Sequence, residues 1–294
     1  MTDTSLLVQL LVHGVLLAGM YALMALGLNL IFGVIRVLNM AHGELLMLGG
    51  FGAFWAWRLL GLNPVFAFAL LGPAFFVSGY LFQYFVVRRI AGGRMPIEDS
   101  SLLLTYGLSL VLVAMTRLLW TSDYRSVPFL PGSSLAGEIT LSHTQMAALG
   151  MAMGITLLLM AFLYRTRVGR AIRATAQNRD LAAACGVEAH HVHAVAFGIG
   201  AAVAGGAGML LSMMYTVYPE MGIDYSLRAF VIVILGGLGN MRGAFLGAVV
   251  VGVTETFGAF YFGALAATII PFLLILVILL FRPDGMVGVA QRHG

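Results

Sequence analysis

Residues 6–31 form an apolar run without a single Asp, Glu, Lys or Arg, long enough to cross a lipid bilayer as one helix. Further runs lie near 44–60, 64–87, 100–120, 144–164, 192–215, 243–262 and 264–282, with a shorter one at 229–240. A membrane-spanning helix needs about 20 mostly apolar residues. About eight spans and one or two half-helices are therefore expected, an all-α polytopic membrane protein in which 1–294 forms one transmembrane domain. Composition agrees, since 61% of the residues are hydrophobic and only 10% charged, far outside the range of soluble domains. No basic stretch precedes the first run and no small-residue cleavage site follows it, so it reads as a retained span rather than a signal peptide. Cys185 is the sole cysteine, which excludes an intrachain disulfide.

All 16 basic residues are arginine, and lysine is absent. A P-loop needs its lysine on the β- and γ-phosphates, and Schiff-base chemistry needs a lysine amine, so the chain runs neither. Any ATP that drives it is bound by another subunit. The arginines cluster in three regions: Arg88, Arg89 and Arg94; Arg165, Arg167, Arg170, Arg173 and Arg179; and Arg282 with Arg292. The positive-inside rule puts all three at the cytoplasmic face. Residues 121–140, with Pro128, Pro131 and Gly132, then form a non-cytoplasmic loop. The net charge of +4 follows from the cytoplasmic loops and gives no reason to expect nucleic acid as a partner.

Two stretches interrupt the apolar pattern. "GLNLIFGVIRVLNMAHGELLMLGG" at 27–50 sets Arg36, Asn39, His42 and Glu44 between two apolar segments. "GGLGNMRGAFLG" at 236–247 overlaps the short run 229–240, which reads as a half-helix entering from outside, breaking near Gly236, Gly237 and Gly239 and returning through 243–262. Irregular backbone at membrane depth is tolerated only where protein or a water-filled cavity covers it, which makes this stretch a candidate pathway lining. Residues 32–43 form either a similar half-helix or a short cytoplasmic turn, and the side on which 6–31 starts is left open. "LNMAHGEL" at 38–45 and "GNMRGAFL" at 239–246 share Asn-Met, a basic residue and Gly once a one-residue gap is allowed. This is a weak echo of the internal repeats from which transporters are commonly built.

"GIGAAVAGGAGMLLS" at 198–212 spaces small residues about one turn apart, a pattern for close helix packing rather than substrate contact. The loop 165–190 is expected to carry an amphipathic cytoplasmic helix from Gly169 to Ala184, with Ile172, Ala176 and Ala183 as its apolar stripe. It serves either as an anchor on anionic headgroups or as a docking helix for a cytoplasmic partner. His190, His191 and His193 read as interface histidines, and no metal site is assigned to them. Glu220 and Asp224 belong to an external loop in this reading, and Glu255 to membrane depth.

Four blocks resemble the membrane permease subunits of high-affinity branched-chain amino acid ABC importers. They are "GLNLIFGVIRVLNMAHGELLMLGGF" (27–51), "GRAIRATAQNRDLAAACGV" (169–187), "VIVILGGLGNMRGAFLGAVVVGVTE" (231–255) and "LLFRPDGMVG" (279–288), and the likeness extends over nearly the whole chain. The resemblance implies a type II ABC importer fold in the bacterial inner membrane. It also implies a second related permease subunit, two ATPase subunits holding ATP and Mg, and a periplasmic binding protein that sets the substrate. No cofactor and no catalytic site are expected in this chain itself. By the same resemblance 169–187 is the coupling segment, with Gly169, Arg170, Arg173, Ala174, Asn178, Ala182 and Gly186 at the positions that match the loop pattern.

Polar groups inside a membrane are costly and mark functional sites. Asn39, His42 and Glu44, with Asn240 and Arg242, are therefore expected to line or brace the translocation path. The competing structural reading has Arg36 snorkelling to a headgroup, Glu44 paired with an arginine of the same chain, and the asparagines capping broken helices. The rival class is an ion-coupled secondary transporter or channel for a small polar solute, working through Glu44 and Glu255 without ATPase partners. An intramembrane enzyme finds no supporting motif.

Overall fold

A computed structural model describes residues 3–90, 97–282 and 285–287. The described residues form helices α1 (Asp3–Ile35), α2 (His42–Leu60), α3 (Pro64–Phe82), α4 (Arg88–Ile90), α5 (Ile97–Trp120), α6 (His143–Arg165), α7 (Arg167–Gln177), α8 (Arg179–Ala184), α9 (Ala189–Met214), α10 (Met221–Gly236), α11 (Met241–Phe262) and α12 (Ala264–Phe281). A π-helical turn, Gln83–Val87, joins α3 to α4. The loop 121–140 carries an antiparallel hairpin of β1 (Ser133–Ala136) and β2 (Ile139–Ser142), with Ser133 opposite Ser142 and Ala136 opposite Ile139. Arg94 and Arg292, two of the arginines assigned to the cytoplasmic face, lie outside the described residues.

Seven stretches are long and apolar enough to cross a membrane: α1, α3 continued through α4, α5, α6, α9, α11 and α12. Their ends follow local chemistry. Asn63 caps α3 by accepting a hydrogen bond from Phe66 N–H (3.1 Å), with Pro64 in the first turn, where a missing N–H costs nothing. Thr166 caps α7 in the same way through Gly169 N–H (2.9 Å). α2 ends at Gly61, whose φ of 65° is the left-handed conformation glycine adopts freely.

The centre of the bundle is α1 and α9, both almost wholly buried, with α2, α3, α6, α10 and α11 around them and α5 and α12 at the periphery. The small residues at 198–212 do what their spacing predicts. A Cβ on Gly208 would lie 1.8 Å from the Leu46 carbonyl oxygen, and one on Gly49 would lie 2.0 Å from that of Gly205. α2 and α9 thus meet backbone to backbone, the contact that lets helices associate where no hydrophobic effect drives them.

The side on which α1 starts follows from its contacts. Gln9 exchanges hydrogen bonds with the Thr140 backbone in both directions (2.8 and 2.7 Å), and His13 Nδ1 lies 2.9 Å from Gln145 Oε1. The start of α1 therefore lies at the same end of the bundle as the hairpin. The bridge between Arg125 and Val217 and the Arg117–Glu220 ion pair bring 215–220 to that end as well.

α10 differs from the half-helix expected over 229–240. It begins at Met221 and ends at Gly236, and its glycine break sits against Gly33 near the inner end of α1 rather than at membrane depth. α10, α11 and α12 thus follow one another as three successive helices of the bundle, α10 with its 16 residues being shorter than the seven stretches above. The first two turns of α10 escaped the hydropathy pattern because Asp224, Tyr225, Ser226 and Arg228 look like loop residues; here Ser226 and Arg228 are spent on contacts inside the bundle.

Candidate translocation site

The backbone break at membrane depth lies between α1 and α2. Arg36, with φ 57°, ends the helical path of α1, and residues 36–41 double back along it. His42 Nε2 reaches the Met24 carbonyl at 3.0 Å. Met24 is about three turns, roughly 16 Å, before the inner end of α1, so α2 starts deep inside the bundle. Of the two forms expected for 32–43, neither holds: α1 runs on to Ile35, and an irregular return with a turn at Met40–Ala41 follows.

Backbone groups exposed by such a break must find partners, because lipid offers none. Hydroxyls from two neighbouring helices supply them. Thr105 Oγ1 on α5 accepts from Met40 N–H (3.0 Å), and Ser226 Oγ on α10 accepts from Gly43 N–H (2.7 Å) and donates to Met40 C=O (3.2 Å). Asn39 Oδ1 accepts from Ala41 N–H (3.1 Å).

Glu44, in the first turn of α2, is fully buried. Its Oε1 accepts from Ser109 Oγ at 2.7 Å, while Oε2 has no hydrogen-bond partner and lies against Gly222. His42 Nδ1 and Asn39 Nδ2 are likewise buried without a partner. The expected pairing of Glu44 with an arginine is absent among the described residues. Arg36 is exposed, in keeping with a snorkelling side chain.

Asn240 and Arg242 stand elsewhere. Asn240 Oδ1 caps α11 by accepting from Arg242 N–H and Gly243 N–H (both 3.1 Å), and its Nδ2 donates to Val287 C=O (2.8 Å). Beside them lies a cavity of about 320 Å³ lined by Asn29, Leu163, Arg173, Gln177, Asn240 and Arg242. These two residues therefore belong to the end of the bundle that holds α7, and not to the cluster of Asn39, His42 and Glu44. The sequence echo survives locally: each asparagine accepts from the N–H two residues on, just before a helix.

The hydroxyl face of α5 was missed from sequence. Ser101, Thr105, Ser109 and Thr116 are all buried, while Leu103, Leu110, Val111 and Leu118 point outward. The signal was available as hydroxyls four residues apart at 101, 105 and 109, an inverted amphipathic helix whose polar face turns inward. Glu255 is at membrane depth as expected. Its Oε2 accepts from Tyr21 OH (2.8 Å) and its Oε1 lies 3.5 Å from Arg228 Nη2. Glu220 pairs with Arg117 at the hairpin end of the bundle, whereas Asp224 lies in the first turn of α10 and accepts from Tyr218 OH at 3.3 Å.

The segment 165–190 holds two helices, α7 and α8, where one was expected. Asn178, with φ −155° and ψ 110°, ends α7 and caps α8 through Leu181 N–H (2.9 Å); a side chain that competes for backbone donors breaks a helix where proline and glycine are absent. The buried stripe is Gly169, Ile172 and Thr175 with Ala182, while Ala176 and Ala183 are exposed. Gly169 touches the α6 backbone, where a Cβ would come 2.3 Å from Phe162 O, and Gly186 adopts φ 83° after α8. Arg173 is tied to its own chain: Nε donates to Leu163 C=O (3.1 Å) and the guanidinium lies 4.6 Å from the Tyr164 ring centre. Arg170, Ala174, Asn178 and Leu181 are exposed, Leu181 by 66%.

A helical bundle that crosses the membrane repeatedly and buries an irregular, polar return at half depth is the architecture of a solute permease. The chain belongs to the family described as "Branched-chain amino acid transport system / permease component", which it matches over residues 10–280. It is 34% identical to the high-affinity branched-chain amino acid transport system permease protein BraD of Pseudomonas aeruginosa, over 95% of each chain. It is 30% identical to the corresponding permease protein LivH of Escherichia coli, again over 95% of each. Among solved structures, PsaBC from Streptococcus pneumoniae in complex with Fab shares the fold, with a TM-score of 0.51 and 12% identity over 92% of this chain and 91% of that one.

Proposed function

We propose that this chain is the permease subunit of an ATP-driven importer that moves branched-chain amino acids from a periplasmic binding protein to the cytoplasm by alternating access. A second permease subunit completes the membrane unit, and two ATPase subunits hold ATP and Mg. The observation that carries this reading is the likeness, over nearly the full length, to relatives named as branched-chain amino acid permeases.

In this reading Asn39, His42 and Glu44, faced by the hydroxyls of α5, brace the path at mid-membrane. Asn240 and Arg242 stand at its inner mouth, where they share a cavity with α7. The segment 165–190 is the coupling element. Gly169, Arg173 and Ala182 fix it to the chain's own core, leaving Arg170, Ala174, Asn178 and Gly186, together with Leu181, for the ATPase surface. Closure of the ATPase dimer moves α7, and the shared cavity passes that movement to α1 and α11.

The test compares wild type with Leu181→Arg in proteoliposomes holding the co-expressed subunits, reading leucine uptake and ATP hydrolysis. Leu181→Arg is expected to abolish uptake and substrate-stimulated hydrolysis while the chain inserts normally. Arg173→Glu would be ambiguous, since it also unties α7 from α6. Leucine movement by this chain without ATPase subunits would sink the proposal in favour of an ion-coupled carrier.

A further inference from the structure

The three histidines at 190–193 have no part in the site above, and one of them closes a groove. A cavity of about 640 Å³ runs between α3, α6 and α9, walled by Phe68, Phe76, Leu158, Phe162 and Ala202. Its wall is almost entirely apolar except at one end, where the Tyr80 hydroxyl lies 3.1 Å from His191 Nδ1. Phe68 and Tyr80 on α3 are twelve residues apart, which makes the groove about 18 Å long. That is slightly more than half of a bilayer's roughly 30 Å hydrocarbon core, the depth of one leaflet.

The polar end is the cytoplasmic one, because Val168 at the start of α7 also lines it. From Tyr80 a ladder leads outward: the Tyr84 ring stacks on it at 6.1 Å, and the Arg88 guanidinium lies 5.3 Å from the Tyr84 ring centre. The π-helical turn Gln83–Val87 falls between Tyr80 and Arg88, a distortion frequent at functional sites. Arg167 adjoins Val168. Arg88 and Arg167 are exposed and have no carboxylate partner among the described residues.

We infer that this groove is a binding site for one anionic phospholipid of the inner leaflet. An acyl chain lies along α9 between α3 and α6. The glycerol and ester region meets Tyr80 and His191, and the phosphate is held by Arg88 and Arg167. Apolar length matched to one leaflet, a hydrogen-bonding pair where the ester linkage falls and unpaired cations where the headgroup falls are three separate features in one line.

The experiment uses the full chain with its co-expressed subunits, purified in detergent, delipidated and returned to equal amounts of phosphatidylglycerol and phosphatidylcholine, with bound lipid counted by native mass spectrometry. Wild type is expected to retain one phosphatidylglycerol per chain, with about 30-fold preference over phosphatidylcholine, as two surface arginines warrant. Ala202→Phe fills the groove and is expected to lose that lipid. Leu158→Trp, at a position 70% exposed and therefore tolerant, should do the same if Ala202→Phe fails to fold. Arg88→Gln with Arg167→Gln should retain a lipid but lose the preference. Equal lipid retention in wild type and the filled variants would overturn the inference. So would crosslinking of Ala202→Cys, in a Cys185→Ser background, to the second permease subunit, which would make the groove a protein interface.

Discussion

Glu255 and Glu44 are both carboxylates at membrane depth, and their surroundings assign them different work. Glu255 is matched to Arg228 and Tyr21, three residues from three helices, and behaves as a structural clamp among α1, α10 and α11. Breaking a buried pair leaves a charge without compensation, whereas replacing both members by apolar side chains is often neutral. Arg228→Met alone is therefore expected to cost about 3–5 kcal/mol, read as a large fall in the detergent melting temperature. Arg228→Met with Glu255→Met should recover most of it. If the double variant keeps its stability and its ATP-driven uptake, Glu255 is no proton relay; if it folds but uptake is lost, the carrier reading regains ground. Glu44 has only Ser109 for one oxygen and Gly222 against the other. Sequence could flag both carboxylates by depth, but their partners stand 65 and 234 residues away in the chain, and no local pattern encodes such distances.

Helices were legible in proportion to how apolar they are. α1, α9, α11 and α12 sit where the hydropathy runs put them, and the glycines of α9 announced their own contacts. α10 was half hidden, because residues buried in pairs are indistinguishable from loop residues until the pairs are seen. The break at Asn178 was hidden for the opposite reason: one side chain outcompetes the helix, with no proline or glycine to mark it. α5 is the instructive case, since hydropathy marks it only as a span, while its Thr105 hydroxyl is a partner of the broken backbone before α2. Thr105→Val keeps the shape and removes the acceptor for Met40 N–H. A buried donor left unsatisfied costs about 1–3 kcal/mol, and that strain falls on the return segment rather than on α5, whose outward face is unchanged. Thr105→Val and Ser109→Ala are thus expected to leave insertion and total helix content intact while lowering uptake several-fold. Unchanged uptake in both would remove the α5 face from the path.

At the scale of the whole molecule, the two ends of the bundle are held differently. The outer face is tied by the hairpin to α1, by the bridge from Arg125 to Val217 and by the ion pair from Arg117 to Glu220. The inner face holds α7 and α8, fixed through one buried stripe and open on the other side. The proposed importer uses this asymmetry: force applied at α7 tilts helices about the end that these contacts hold. It also demands that the hairpin and Cys185 lie on opposite sides of the membrane. Cys185 is the sole cysteine and is exposed just after α8, so an impermeant maleimide reports its side without engineering. It is expected to react in inverted vesicles only, and to be slowed when the ATPase subunits are bound. Leu135→Cys in a Cys185→Ser background places the probe on β1, where Leu135 is 76% exposed, and should react in right-side-out vesicles only. Labelling of both positions from one side would mean that α6, the one candidate span between them, does not cross the membrane.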